Sequence, residues 1–293
     1  MKALKASTHR PEDSARYVVS EIEDFTKRST LNRFPSAEHE SIFDEPLVGF
    51  ASGYDPLFTE YKTIISNEHL TPREAIAEVT REKHLKDSEF LSIISWVLPV
   101  NKETRESNRP RKKTQSKLWA HTRWYGELFN VALREHMVSV ITKIGYHAVA
   151  PALMPYFDDK KVNSNGRFSN WSERHIAYAA GLGTFGLSGG FITERGIAHR
   201  CGSIVTDMRI APSARMAESP FSNCLFYNNN GSCKACVGRC PAGAITVQGR
   251  DKAVCQSYLR ENLDLVDKKY GVEYGGCGLC QVKVPCEFRN PKL

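Results

Sequence analysis

The chain has 293 residues and a mass of 33.0 kDa, room for two modest domains of roughly 100–200 residues each. Its 41% hydrophobic and 25% charged residues exclude wholesale disorder. No apolar run reaches the ~18 residues that a membrane helix needs, and a net charge of +7 is too mild to imply a nucleic acid on its own.

Met1 to Glu12 is polar and mixed in charge, without the apolar core of an export signal, so the expected location is the cytoplasm. Residues 1–45 form a polar segment with a helix predicted over Ser14 to Thr26. Turn signals at Gly53, Pro56 and Pro72 lead to a helix beginning near Thr71. There Thr71-Pro72-Arg73-Glu74 offers an N-cap, a proline at the first helical position and a glutamate three residues after the cap. Phe90 to Val100 reads as a buried strand ended by Pro99. Asn101 to Lys117 reads as a charged loop, with six basic residues between Lys102 and Lys113. A long helix is predicted over His121 to Lys143, its stripe of Phe129, Leu133, Met137, Val140 and Ile144 facing a core, and Gly145 ending it. Tyr146 to Leu153 is the next strand, Asn163 to Asn170 a loop, and Glu173 to Ala180 a short helix stopped by Gly181. Gly202 to Thr206 is a third strand. A composition shift at 211–219 marks the predicted boundary of a C-terminal domain, giving segments 1–45, 46–215 and 216–293. The fold class is α+β.

The C-terminal segment holds the clearest signal. Of nine cysteines, eight fall between Cys224 and Cys286. A reducing compartment does not sustain a disulfide framework, so clustered cysteines there point to metal or catalysis. Their order is Cys224-x8-Cys233-x2-Cys236-x3-Cys240-Pro241, then Cys255, then Cys277-x2-Cys280-x5-Cys286. The Cys-x2-Cys-x3-Cys-Pro core matches a bacterial ferredoxin run, in which the last cysteine crosses to the other cluster. That rule assigns Cys224, Cys233, Cys236 and Cys286 to one [4Fe–4S] cluster. Cys240, Cys255, Cys277 and Cys280 fall to a second. Two four-cysteine zinc sites are the competing reading. The cysteine three residues after the pair, its proline, and the Ala242-Gly243-Ala244-Ile245 that follows favour iron. Cys201 is left over as a buried thiol.

Cys255-Gln256-Ser257-Tyr258-Leu259 and Gly276-Cys277-Gly278-Leu279-Cys280-Gln281 resemble the second-cluster segments of epoxyqueuosine reductases. Upstream, Glu173-Arg174, Ala180-Gly181-Leu182-Gly183, Phe185-Gly186, Gly202 and Ile204 to Asp207 resemble the same family and the corrinoid domain of reductive dehalogenases. Ile192-Thr193 to Arg200 and Asp44 to Phe50 lean towards the dehalogenases. The likeness covers roughly 44–290. It implies a nitroreductase-like α/β domain holding base-off cobalamin, followed by a ferredoxin-like double-cluster domain. Cobalamin would lie against Gly181, Leu182, Gly183, Phe185, Gly186, Gly202, Ser203 and Thr206. The chain departs from the family at the first and last cysteine gaps, and at Arg167, which stands where epoxyqueuosine reductases carry an acidic proton donor. Dehalogenases use a tyrosine on the helix before a Gly-Tyr pair; Gly145-Tyr146 is similar to that pair and makes Tyr125 the candidate acid, with Arg123 and Arg167 as candidate cations.

The expected function is a cobalamin and iron–sulfur reductase of a small electrophilic substrate, fed by an electron donor such as a ferredoxin or flavodoxin. The alternative is an iron–sulfur electron-transfer protein that reduces a corrinoid or metalloprotein partner. A tRNA-modifying enzyme, with Arg109, Arg111, Lys112 and Lys113 as a phosphate-binding loop, is less favoured. No membrane partner is expected.

Overall fold

The computed structural model describes residues 11–35, 41–80, 90–163, 166–273 and 275–293. Helix α1 (Pro11–Arg28) precedes strand β1 (Leu47–Ser52), α2 (Leu57–Ile64) and α3 (Pro72–Thr80). The capping box forms as the sequence demands: the Thr71 N–H donates to Glu74 Oε2 at 2.8 Å, and the Glu74 N–H donates back to Thr71 Oγ1 at 3.3 Å. Strand β2 (Ser92–Pro99) follows, buried at every position because helices cover both its faces.

Helix α4 (Lys102–Asn108) occupies what the charge run suggested was a loop. Asn101 starts it, its side chain accepting from the Thr104 N–H at 2.8 Å. Helix α5 runs Lys117–Lys143, capped by Ser116. Its stripe is Phe129, Leu133, Met137 and Ile141, all fully buried, while Ile144 is exposed. An unbroken four-residue step carries the stripe to Ile141, not to Val140 and Ile144. Strand β3 is only Ala148–Val149, since Pro151 follows and opens a short 3-10 turn. Strands β4 (Lys161–Asn163) and β5 (Gly166–Phe168) pair as a hairpin where a loop was expected. Then come α6 (Glu173–Ala179), β6 (Thr184–Phe185), β7 (Phe191–Ile192) and β8 (His199–Thr206). The cysteine-rich part carries α7 (Leu225–Asn228), α8 (Ala235–Arg239), β9 (Ile245–Thr246), β10 (Gly249–Arg250) and α9 (Lys252–Lys269).

One antiparallel sheet in the order β1-β2-β8-β3 organises the N-terminal body. Alternate side chains of its strands enter two cores. Ile94, Trp96, Leu98 and Ile204 pack with Phe129 and Leu133 of α5 and with Val18 and Ile22 of α1. Ile93 and Val205 pack on the other face with Phe58, Ile76, Trp171 and Ile176. Helices therefore cover both faces of the sheet, a mixed α+β arrangement. Among the described residues no helix is long and apolar enough to cross a membrane.

Candidate iron–sulfur site

The short helices α7 and α8 and the turns around them bring the cysteines into two groups. Cys224, Cys233, Cys236 and Cys286 line one cavity, together with Gly186, Leu187, Ile192, Ile197, Val284 and Pro285. Its walls are otherwise mostly aliphatic, and Ile192 and Ile197 come from the N-terminal body. Burial and the neighbouring thiols push Cys236 up to about 11 and Cys286 up to about 12. In the second group Cys277 and Cys280 are each acted on by Cys240 and Cys255, and burial is the largest cause holding both thiols above their usual range. Thiols so raised are protonated at neutral pH, so a metal entering either group must displace protons.

The two groups differ in their surroundings. Arg250 reaches into the second, Nη2 donating to Cys255 Sγ at 3.1 Å. Burial pulls its guanidinium down, but the thiols of Cys255, Cys280 and Cys277 hold it above its ordinary value. Arg250 carried no signal in the sequence, since its role depends on the turn from β10 into α9. The loop that bears Cys277 is fastened to the N-terminal body: Asn108 Nδ2 donates to the Cys277 carbonyl at 3.0 Å. Gly278, at φ +58, lies so close to Trp119 that a Cβ would fall 2.0 Å from the indole. The first group is fastened through Glu287, which is 2% exposed. Arg109 Nε donates to both its carboxylate oxygens at 3.0 and 3.1 Å, and Arg105 stands 3.6 Å away. The Ile197 N–H donates to the Cys286 carbonyl at 2.8 Å.

Among the described residues, no three His, Cys, Asp or Glu side chains gather tightly enough to hold one metal ion.

The residues expected to hold cobalamin are placed less openly. Ser203 and Thr206 are 0% exposed. Ser203 Oγ donates to Glu173 at 2.6 Å and accepts from the Trp171 indole at 3.0 Å, and Thr206 Oγ1 donates to the His147 carbonyl at 2.7 Å. A Cβ on Gly202 would strike Trp96 and Asn130. These three lie inside the sheet. Gly183 owes its lack of a side chain to the Ile192 carbonyl, 2.3 Å from where a Cβ would sit. Gly181, at φ +75, ends α6 as a helix cap. Gly186 lies beside Cys224, its Cβ position 3.8 Å from the sulfur. Only Gly181, Leu182, Gly183 and Phe185 present a partly exposed edge, and Phe185 stacks obliquely on His175 at 4.7 Å.

Tyr125 is partly buried, edge-on to His121 at 5.3 Å. Arg123 lies beside Gly276 of the second cysteine loop. Arg167 is on β5, its guanidinium bound to Asp159 at 3.1 Å. Behind them runs an ionic chain that the sequence did not announce. Arg134, 3% exposed, joins Glu127 at 3.2 Å and Glu173 at 3.0 Å, and Arg200 joins Glu127 at 2.8 Å. Burial raises Glu173 despite Arg134, whereas Arg200, Arg134 and Arg123 together outweigh burial and lower Glu127. Of the basic loop, Arg109 is committed to Glu287 and Arg111 folds back on Thr114, leaving Lys112 and Lys113 exposed.

No family model matches the chain. Among curated proteins, an epoxyqueuosine reductase of Listeria monocytogenes is 27% identical over 200 residues, covering 66% of this chain and 48% of its own length. One from Bacillus anthracis is 23% identical over 248 residues, 81% of this chain and 60% of its own. The chain therefore spans about half to three fifths of these relatives. Among solved structures, the epoxyqueuosine reductase of Bacillus subtilis aligns over 95% of this chain and 66% of its own, with TM-score 0.54 and 15% identity. An epoxyqueuosine reductase solved with an epoxyqueuosine-modified tRNA stem loop aligns over the same shares with TM-score 0.51 and 16% identity. The chain is similar in sequence to these epoxyqueuosine reductases over the matched stretches and shares the fold of the solved ones.

Proposed function

We propose that the protein is an oxidoreductase that carries two [4Fe–4S] clusters and passes electrons through them to a substrate bound on the N-terminal body. The observation that carries this reading is the division of eight thiols into two foursomes, each drawn from distant stretches of chain. Cys224, Cys233, Cys236 and Cys286 would hold one cluster, and Cys240, Cys255, Cys277 and Cys280 the other. The Cys-x2-Cys-x3-Cys-Pro order favours a four-iron cube over a single zinc ion. Bound clusters would supply one-electron chemistry. The chain's own part is to shield them with aliphatic walls, to pair the second with Arg250, and to brace both against the body through Glu287 and Trp119. Eight reduced thiols would be stable in a reducing cytoplasm, the compartment this reading implies.

Cobalamin is the electron acceptor that the resemblance implies. Gly202, Ser203 and Thr206 lie inside the sheet, and no proposed step runs through cobalamin. Tyr125, near Arg123, is proposed as the acid that protonates a small electrophilic substrate. Action on a tRNA-borne nucleoside is the second reading, favoured by the relatives' names; Arg167 in place of the acid, and tied to Asp159, weighs against it.

The test is metal analysis with the anaerobic absorbance spectrum, before and after adding cobalamin. About eight irons per chain and a broad band near ~400 nm support the reading. Stoichiometric zinc without that band overturns it, and a cobalamin spectrum unchanged by the protein removes the corrinoid.

A further inference from the structure

The two segments that carry the first cysteine foursome are rich in bases and poor in acids. Across residues 221–240 and 281–293 the basic side chains are Lys234, Arg239, Lys283, Arg289 and Lys292, and the only acid is Glu287. Glu287 is buried and turned inward to Arg105 and Arg109. Arg239 also turns inward, donating to the carbonyls of Leu279 and Arg111. Lys234, Lys283, Arg289 and Lys292 are exposed; the turn that packs on Asn290 adds exposed Glu194 and Arg195, so bases still outnumber acids there.

Apolar rings stand on the same two segments. Tyr227 is 45% exposed and packs on Phe221 at 4.4 Å; Phe288 is 48% exposed, with the Arg289 guanidinium 5.8 Å above its ring. Pro285 lines the cavity of the four thiols and is itself exposed, so only a thin apolar wall separates that cavity from solvent. The loop of the second foursome, by contrast, is packed under Trp119 and beside Arg123.

An apolar patch with a charged surround is the anatomy of a protein docking face. The surround steers the encounter, and the apolar centre excludes water. We propose that an acidic one-electron carrier protein of the flavodoxin type docks on this face and delivers its electron to the first cluster. The inference rests on the iron–sulfur reading. One electron leaves the carrier's reduced flavin and enters the [4Fe–4S] centre, which passes from the 2+ to the 1+ state; no bond or proton moves. The small, charged contact suits a transient encounter, in which rate depends on salt more than affinity depends on area.

The test uses the iron-loaded chain, a bacterial flavodoxin, and a variant carrying Lys234→Glu, Arg289→Glu and Lys292→Glu, none of them a cluster ligand. Iron content and reduction by methyl viologen radical, a small cation that needs no docking face, establish that the variant's clusters are intact. The expected result is a second-order rate of reduction by flavodoxin at least about tenfold lower in the variant at low salt, the gap closing near ~0.5 M salt. Calorimetric affinity for oxidised flavodoxin should weaken in parallel. Equal rates in the two proteins overturn the docking face while leaving the cluster reading intact, and so does failure of flavodoxin to reduce clusters that methyl viologen reduces. A variant whose carrier rate is unchanged but whose tRNA binding is lost reassigns the patch to RNA and overturns it too. A chain without iron overturns the inference together with the reading beneath it.

Discussion

The N-terminal body and the cysteine-rich part are held together by different physics. The body buries Trp96, Trp119, Trp171, Phe58 and Phe129 completely around a four-stranded sheet. Apart from α9, the cysteine-rich part has only helices of four and five residues and strands of two. Its core is a handful of aliphatics with Cys224, Cys236, Cys240, Cys280 and Cys286 among them. A body of the first kind is stabilised by apolar area removed from water. So small a unit as the second usually needs a metal or cross-links to fold at all. The proposed ligand set is also part of the packing, so on that reading metal and fold stand or fall together there.

Removing iron should break that comparison open. Chelation should lower amide-exchange protection over 224–250 and 276–290 by at least ~10²-fold, while β1, β2 and β8 keep theirs. Equal loss in both parts would show that they fold as one unit. Glu287→Ala comes next, because it cuts the ionic staple between them and leaves Arg105 buried without its carboxylate. The iron-loaded protein should lose about 3 kcal/mol by denaturant midpoint, the partial exposure of Arg109 keeping the loss at the lower end for a buried pair.

A third effect belongs to the body alone. His69 is 0% exposed, and its Nε2 accepts the Ser172 N–H at 3.1 Å, so the ring is neutral. Burial, with Lys62 adding to it, lowers its pKa to about 4. The unfolded ring titrates near ~6.5, so the unfolded state binds the proton first as pH falls. Stability is full above pH ~6.5 and declines towards pH ~4, by about 3 kcal/mol for this residue. The decline should be shallower in His69→Gln and indifferent to iron. The smallest effect is Thr71→Ala, which removes the cap of α3 and should cost about 1 kcal/mol without changing iron content.

The same divide governs what could be read from the sequence. Local patterns were legible: the apolar run that became β2, the capping box at Thr71, the four-residue stripe of α5. Asn101 was a readable cap, but the basic residues after it disguised α4 as a loop. Helix α9 has a weak apolar stripe, and its one local signal is the Asp251 cap, whose side chain accepts from the Val254 N–H at 3.0 Å. Cysteine spacing carried its message because short loops fix where thiols stand. Arg250 on Cys255 and Glu287 on Arg109 were invisible, the first dependent on a two-residue strand, the second on a meeting 178 residues apart. The glycines at 181–183 and Gly202 were readable as special positions, yet the sequence could not tell a cofactor's approach from the chain's own.

The central claim is that the chain carries two four-iron clusters with ligands crossed between the halves of the cysteine run. It is tested most directly by iron content and EPR of the reduced protein in Cys286→Ala and Cys255→Ala. The account predicts that each variant drops from about eight irons to about four, and that the two lose different EPR signals. Both signals intact in Cys286→Ala, or zinc in place of iron in the unmodified chain, would contradict it.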